Sequence, residues 1–170
     1  MAKNKKTKGL ILKLILMILG LVILIYNPLS IRLMVYGTAV YYKLDTGVFY
    51  RMIQTESSFR ALAVSRKQAI GLGQVKESTA AYINEKHRSG ALFFPLYNLR
   101  ISARYVKYLQ GKYKGNWSLV LAAYNWGETN VSKRIRKRQI DPEKNYQFLF
   151  KDIPETYHYI GKILSPEKNP

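Results

Sequence analysis

The sequence has no cysteine and only two histidines, His87 and His158. The first absence removes any disulfide framework and any thiolate metal site. The second argues against a histidine-built metal centre and leaves one lone imidazole at most for a Ser-His-Asp triad. No metal and no cofactor is expected. Acidic side chains are also scarce, with 10 Asp and Glu against 28 Lys and Arg in 170 residues, a formal charge of +18. That balance suits anionic surroundings: nucleic acid, anionic lipid or acidic wall polymer. Strand-type alternation is rare, and internal repeats and low-complexity linkers are missing. What is plentiful is apolar: 48% of residues are hydrophobic, too many for a disordered basic tail. The length allows one compact domain plus an anchor or tail.

The apolar excess is concentrated first at the N-terminus. Lys3, Lys5, Lys6 and Lys8 form a basic head, and an apolar run from Gly9 to Tyr26 follows, interrupted only by Lys13. As a helix this run is about 27 Å long at 1.5 Å per residue, enough for a bilayer core. Lys13 stands close enough to the basic end to snorkel. A cleaved signal peptide is the alternative, but no small-residue cleavage site lies near Tyr26-Asn27-Pro28. The expected organisation is a head and anchor over 1–29 and one domain over 30–170. The positive-inside rule puts the lysine head in the cytoplasm and the domain outside.

Beyond the anchor the periodicity is helical. Ser30 to Lys43 reads as a helix with Leu33, Tyr36 or Gly37, and Val40 on one side. Asp45 is a plausible N-cap for a helix to about Ser57. Residues 65–77 read as loop. Ser78 would cap a short helix through Lys86, Asn98 a longer one through Gln110, and Asn116 another that stops near Gly127. Pro154 opens the last helix. The fold class is mostly α, with six or seven short helices around one core.

Glu56 breaks the apolar pattern in a useful place. Phe49, Met52, Ile53 and Glu56 fall at i, i+3, i+4 and i+7, so the carboxyl lies on the stripe that faces the core. Desolvation there would raise its pKa, and an acid still protonated near about pH 6–7 is what general-acid catalysis needs. The competing reading is a helix-terminal Glu paired with Arg60 at i+4.

The surrounding sequence decides between them. Glu56-Ser57 is followed by Ser65, nine residues after the Glu, and by Gly71-Leu72-Gly73-Gln74. Later come Ala122-Ala123-Tyr124-Asn125-Trp126-Gly127 and Glu155-Thr156-Tyr157-His158-Tyr159. In order and spacing these blocks resemble the soluble lytic transglycosylase family over about residues 38–164. The resemblance implies a lysozyme-like helical domain, preceded here by the N-terminal transmembrane helix. It also implies an enzyme that cleaves the β-1,4 bond from N-acetylmuramic acid to N-acetylglucosamine in peptidoglycan without adding water, leaving a 1,6-anhydro product. Glu56 would be the catalytic acid and then base. Ser65, Gln74, Tyr124, Asn125, Glu155 and Tyr159 would bind substrate. Each also has a structural reading: loop cap for Ser65, exposed loop side chain for Gln74, core packing for Tyr124 and Tyr159, helix C-cap for Asn125, helix N-terminal charge for Glu155.

Two positions depart from the family pattern. Gly73 stands where Met is usual, removing an apolar contact, and Trp126 replaces a small residue, offering an exposed indole to a sugar face. In sequence the acids nearest Glu56 are Asp45 and Glu77, so a one-carboxylate mechanism is expected. The basic run Lys133, Arg134, Arg136, Lys137 and Arg138 is a solvated helix face or a site for anionic wall polymer. It carries no nucleic-acid reading motif, and export argues against nucleic acid. Expected partners are therefore glycan strands and the bacterial cell membrane, with a partner in an envelope complex left open. The rivals are a goose-type lysozyme on the same fold and a catalytically silent peptidoglycan-binding scaffold.

Overall fold

The computed structural model describes residues 2–165. Residues 166–170 of the expected domain lie outside it, as do the side chains of the basic head, Lys3, Lys5, Lys6 and Lys8. Helix α1 (Ala2–Tyr26) contains the run Gly9–Tyr26, which is long and apolar enough to cross a membrane and is not buried by the rest of the chain. Asn27, in an extended conformation, breaks the helix and caps α2 (Pro28–Tyr41) by accepting from the Ser30 N–H at 3.0 Å. The start thus precedes Ser30, because Asn27-Pro28 supplies both a cap and a preset first turn.

The expected side of α2 is corrected too. Its buried residues are Ile31, Val35, Thr38 and Ala39, whereas Leu33, Tyr36 and Val40 face outward. Both faces are apolar, so periodicity alone could not tell which one meets the core.

Asp45 caps α3 (Thr46–Ser57) as its sequence suggests, accepting from Val48 N–H at 2.8 Å. A loop over residues 58–76 follows, with isolated bridges Val64–Ile70 and Ile70–Val75 and, among the described residues, no strand. Helix α4 (Glu77–Ile83) starts before Ser78 and stops short of Lys86. After a short 3-10 turn (Ala91–Phe93) comes α5 (Pro95–Lys112). Asn98 is therefore not its cap; Pro95 sets the first turn and Asn98 lies one turn in, fully buried.

Asn116 does cap the next helix, α6 (Trp117–Trp126), accepting from Leu119 N–H at 3.1 Å, and Gly127 with φ +99° ends it. The short α7 (Glu128–Ile135) follows, then a 3-10 turn (Gln147–Phe150) and α8 (Pro154–Leu164). Leu119 through Ala123 are completely buried, so α6 is the hub, packed against α5, α7 and α8. α3 packs between α2 and α8. That contact brings residues 56 and 159 together across 103 positions of sequence.

Candidate active site

Phe49, Met52 and Ile53 are fully buried, and their stripe carries the Glu56 carboxyl inward at the last turn of α3. Ser58 and Phe59 then take left-handed backbone, φ 51° and 62°, which turns the chain away so that the Glu56 end of the helix is left open to a cleft. Glu56 does not pair with Arg60, whose Nε donates to the Ser57 carbonyl at 3.0 Å. Instead Glu56 Oε1 accepts from the Tyr159 hydroxyl at 2.5 Å. Burial pushes the Glu56 carboxyl from 4.5 up to about 7; the Tyr159 hydrogen bond opposes this, and the charge of Glu155 adds to it. Burial also raises the phenols of Tyr124 and Tyr159, so both remain neutral donors.

A cleft of about 610 Å³ opens over Glu56. Ser65, Gln74, Tyr124, Asn125 and Glu155 line it; Tyr159 lies beneath, only 7% exposed, reaching Glu56 from behind. Ser65 Oγ accepts from Ala69 N–H at 3.0 Å, so it holds the loop as well as facing the cleft. Gln74, with φ +47°, donates its amide to the carbonyls of Gly71 at 2.9 Å and Ala63 at 3.3 Å. Tyr124 donates to the Gly73 carbonyl at 2.7 Å. Asn125 is inside α6 rather than capping it, and accepts from the buried Thr156 hydroxyl at 2.7 Å.

The second carboxylate of the cleft is neither of the acids nearest in sequence but Glu155, one of the expected substrate-binding residues. Asp45 caps α3 at its other end, and Glu77 is bound to His87 and the Gly90 N–H. Glu155, 99 residues after Glu56, lies at the cleft instead, exposed and 3.4 Å from Lys67 Nζ. Arg66, Lys67 and Lys76 make the same rim basic. Among the described residues no group of three or more His, Asp or Glu is placed to hold a metal ion.

Gly73 has a spatial reason. A Cβ there would stand 2.0 Å from Ser102 Oγ and 3.0 Å from the Tyr124 hydroxyl. The position is packed from behind, so no side chain is missing from the cleft wall. Asn98 organises this loop: its Oδ1 accepts from Gly73 N–H at 2.8 Å, and its Nδ2 donates to Ile70 O at 2.8 Å and Leu92 O at 2.9 Å. Trp126 is half-buried rather than fully exposed, and it lines the cleft beside Asn125. The Arg134 guanidinium sits 4.9 Å over its ring, and Phe150 packs against it edge-on. Arg134 also donates to both oxygens of Asp152, at 2.5 and 2.8 Å, so it belongs to the scaffold and not to a free basic face. Tyr105, Thr79 and Thr156 complete the site's walls and supports. Of these, Thr156 had a signal, its place in the block that begins at Glu155.

The family model of the transglycosylase SLT domain matches residues 35–147. The chain belongs to this family. Among relatives, the membrane-bound lytic murein transglycosylase C of Edwardsiella ictaluri is 30% identical over 153 residues, covering 75% of this chain and 43% of that protein. Its counterpart from Yersinia pestis is 29% identical over 157 residues, 78% of this chain and 44% of that one. The chain thus spans under half the length of these relatives. An inactive mutant of lytic transglycosylase Slt from Pseudomonas aeruginosa superposes with a TM-score of 0.68 at 24% identity, over 83% of this chain and 24% of that one. The 70 kDa soluble lytic transglycosylase of Escherichia coli gives 0.67 at 22%, over 80% and 23%. This SLT domain therefore has the helical fold of those structures.

Proposed function

We propose that this SLT-domain protein is a membrane-anchored peptidoglycan lytic transglycosylase, with α1 crossing the cytoplasmic membrane, its lysine head inside and the cleft outside. The observation that carries this reading is the Glu56 carboxyl, half-buried at the cleft floor and raised by desolvation to about 7. At neutral pH much of it is protonated, so it can donate to the glycosidic oxygen between muramic acid and glucosamine. The C1–O bond breaks as that proton arrives. The substrate's 2-acetamido group stabilises the positive charge at C1, one of the known substrate-assisted exceptions to two-carboxylate catalysis. The muramic C6 hydroxyl then closes onto C1, its tether removing most of the entropic cost. The Glu56 carboxylate takes the C6 proton and is reset. Tyr159, donating at 2.5 Å, fixes the carboxyl and steadies its charged form in the second half of the cycle.

Ser65, Gln74, Tyr124, Asn125 and Glu155 supply the substrate contacts in this reading. The names of the relatives, which are membrane-bound and act on murein, support both the substrate class and the anchor.

Glu155 favours one second reading. As an exposed carboxylate at the cleft, it would activate water in this reading, making the protein a hydrolase of the lysozyme type. Digestion of purified sacculi followed by muropeptide mass spectrometry separates the two. The lyase yields anhydro products one water lighter than the hydrolase products, and Glu56→Gln abolishes either. Equal digestion by wild type and Glu56→Gln removes Glu56 as the acid of either mechanism, and no digestion by the wild type leaves a scaffold.

A further inference from the structure

The longest run of exposed apolar side chains on the described part of this domain lies on α2. Leu29, Leu33, Tyr36 and Val40 form a continuous stripe on the outer face of α2, opposite the face that packs into the core, and each is more than half exposed. Beside the stripe, Leu96 lies with Gly37 and the exposed Tyr41 in the groove that α2 forms with the start of α5, and the neighbouring Phe94 is equally bare. Elsewhere among the described residues, Leu62 and Val64 are exposed on the loop after α3, and Phe148 and Tyr82 stand singly. Single ones need no account, but a stripe of this length on a helix already buried on its other side does.

The place of this face along the chain points to its partner. Only Asn27 separates α1 from α2, and its extended backbone, φ −72° and ψ 151°, turns α2 away from the α1 axis. The last residue of α1, Tyr26, donates its hydroxyl to the Phe93 carbonyl at 3.2 Å, tying the point of exit to the segment that carries Phe94. With one residue between α1 and α2, the start of the domain stays at the surface of a bilayer that α1 crosses. Arg32, Lys43 and Arg100 are exposed around the apolar residues, the pattern of an interfacial helix that sinks its apolar side and meets lipid phosphates with its cations.

We propose that the outer face of α2, with Phe94 and Leu96, is seated in the headgroup layer of the membrane that α1 crosses. The inference rests on α1 spanning the bilayer. It makes α2 a two-sided helix, with protein core on one face and lipid on the other, and it holds the cleft at a set distance from the membrane.

The absence of cysteine makes the test clean. Single substitutions Leu33→Cys, Val40→Cys and Phe94→Cys in the full chain are labelled with an environment-sensitive fluorophore and reconstituted in phosphatidylcholine–phosphatidylglycerol vesicles. Leu16→Cys in α1 and Phe148→Cys serve as lipid and water references. The expected result is that headgroup-region nitroxide lipid removes most of the emission at 33, 40 and 94, and almost none at 148. If those three behave like 148 while label 16 is quenched by a deep nitroxide, the inference fails and the anchor stands. If label 16 is unquenched as well, the anchor fails and takes the inference with it. Shielding from aqueous iodide without lipid quenching means that protein, such as a second copy, covers the face, and this also overturns it. Wild-type chain irradiated with lipid-borne diazirine gives an independent readout. Adducts on residues 29–41 and 94–96 but not 139–152 are required, and their absence refutes the seating.

Discussion

The cleft and the outer face of α2 depart from the usual sorting of polar and apolar groups in opposite directions. At the cleft, polar groups are drawn inside, and each is answered: Glu56 by Tyr159, Asn98 by three backbone groups, Asn125 by Thr156. On α2, leucine, tyrosine and valine are left outside and nothing among the described residues answers them. The lesson lies in which partners are built in. A catalytic acid must keep its geometry and proton affinity, so the fold supplies its neighbours itself. An apolar face can be left to whatever apolar medium adjoins it. Substitutions should therefore be costly at the first region and mild at the second.

The largest effect is expected for Glu56→Gln, which keeps shape and loses the transferable proton. Sacculus digestion should fall by about 10²–10⁴-fold, with the circular dichroism spectrum unchanged. Retained turnover would break the assignment of the acid.

Next is the pH dependence of stability. Glu56 holds its proton more tightly in the folded chain, where its pKa is about 7, than at the ordinary 4.5. The folded state therefore binds more protons between these values. The contribution is complete below 4.5 and is lost as pH rises through 7. At roughly 1.4 kcal/mol per tenfold, the loss is about 3 kcal/mol. Denaturant titrations should show this decline in wild type and not in Glu56→Gln, which is the more stable of the two at pH above 7.

Asn98→Ala removes three buried hydrogen bonds behind the loop. A loss of about 2–4 kcal/mol is expected in urea unfolding, together with a raised KM as Gln74 loses its support.

Tyr159→Phe takes away the hydrogen bond that lowers the Glu56 pKa. The basic limb of the pH–rate profile should move up by about one unit or less; a downward move would show that the phenol does not favour the charged form.

The smallest effect belongs to α2. Leu33→Ser and Val40→Thr in detergent should change stability by no more than about 0.5 kcal/mol. A larger change would mean that this face is core after all and would erase the contrast between the two regions.

Much of the scaffold is legible locally. Asp45 and Asn116 are caps because each side chain bonds an N–H three residues on, and Pro154 starts α8 because its ring suits a first turn. Asn98 looks the same in sequence and is something else. Its partners lie at positions 70, 73 and 92, and the helix it was expected to start begins at Pro95. A short polar side chain before a periodic run fits a cap or a buried cross-link equally well, and only long-range packing separates them. Glu155 is named as a substrate-binding residue through the family block, but that it is the second carboxylate of the cleft depends on packing, as does the lack of room beside Gly73.

The sequence by itself determined the apolar run of α1, the stripe that carries Glu56 inward and the order of the four blocks that mark the family. Those features depend on spacing within one helix or on composition, which a linear reading measures directly. Tertiary structure decided how strongly Glu56 holds its proton, which phenol meets it, which carboxylate shares its cleft and which face of α2 is left bare. Proton affinity and burial are set by the solvent that distant segments exclude, and those segments become neighbours only when the helices pack.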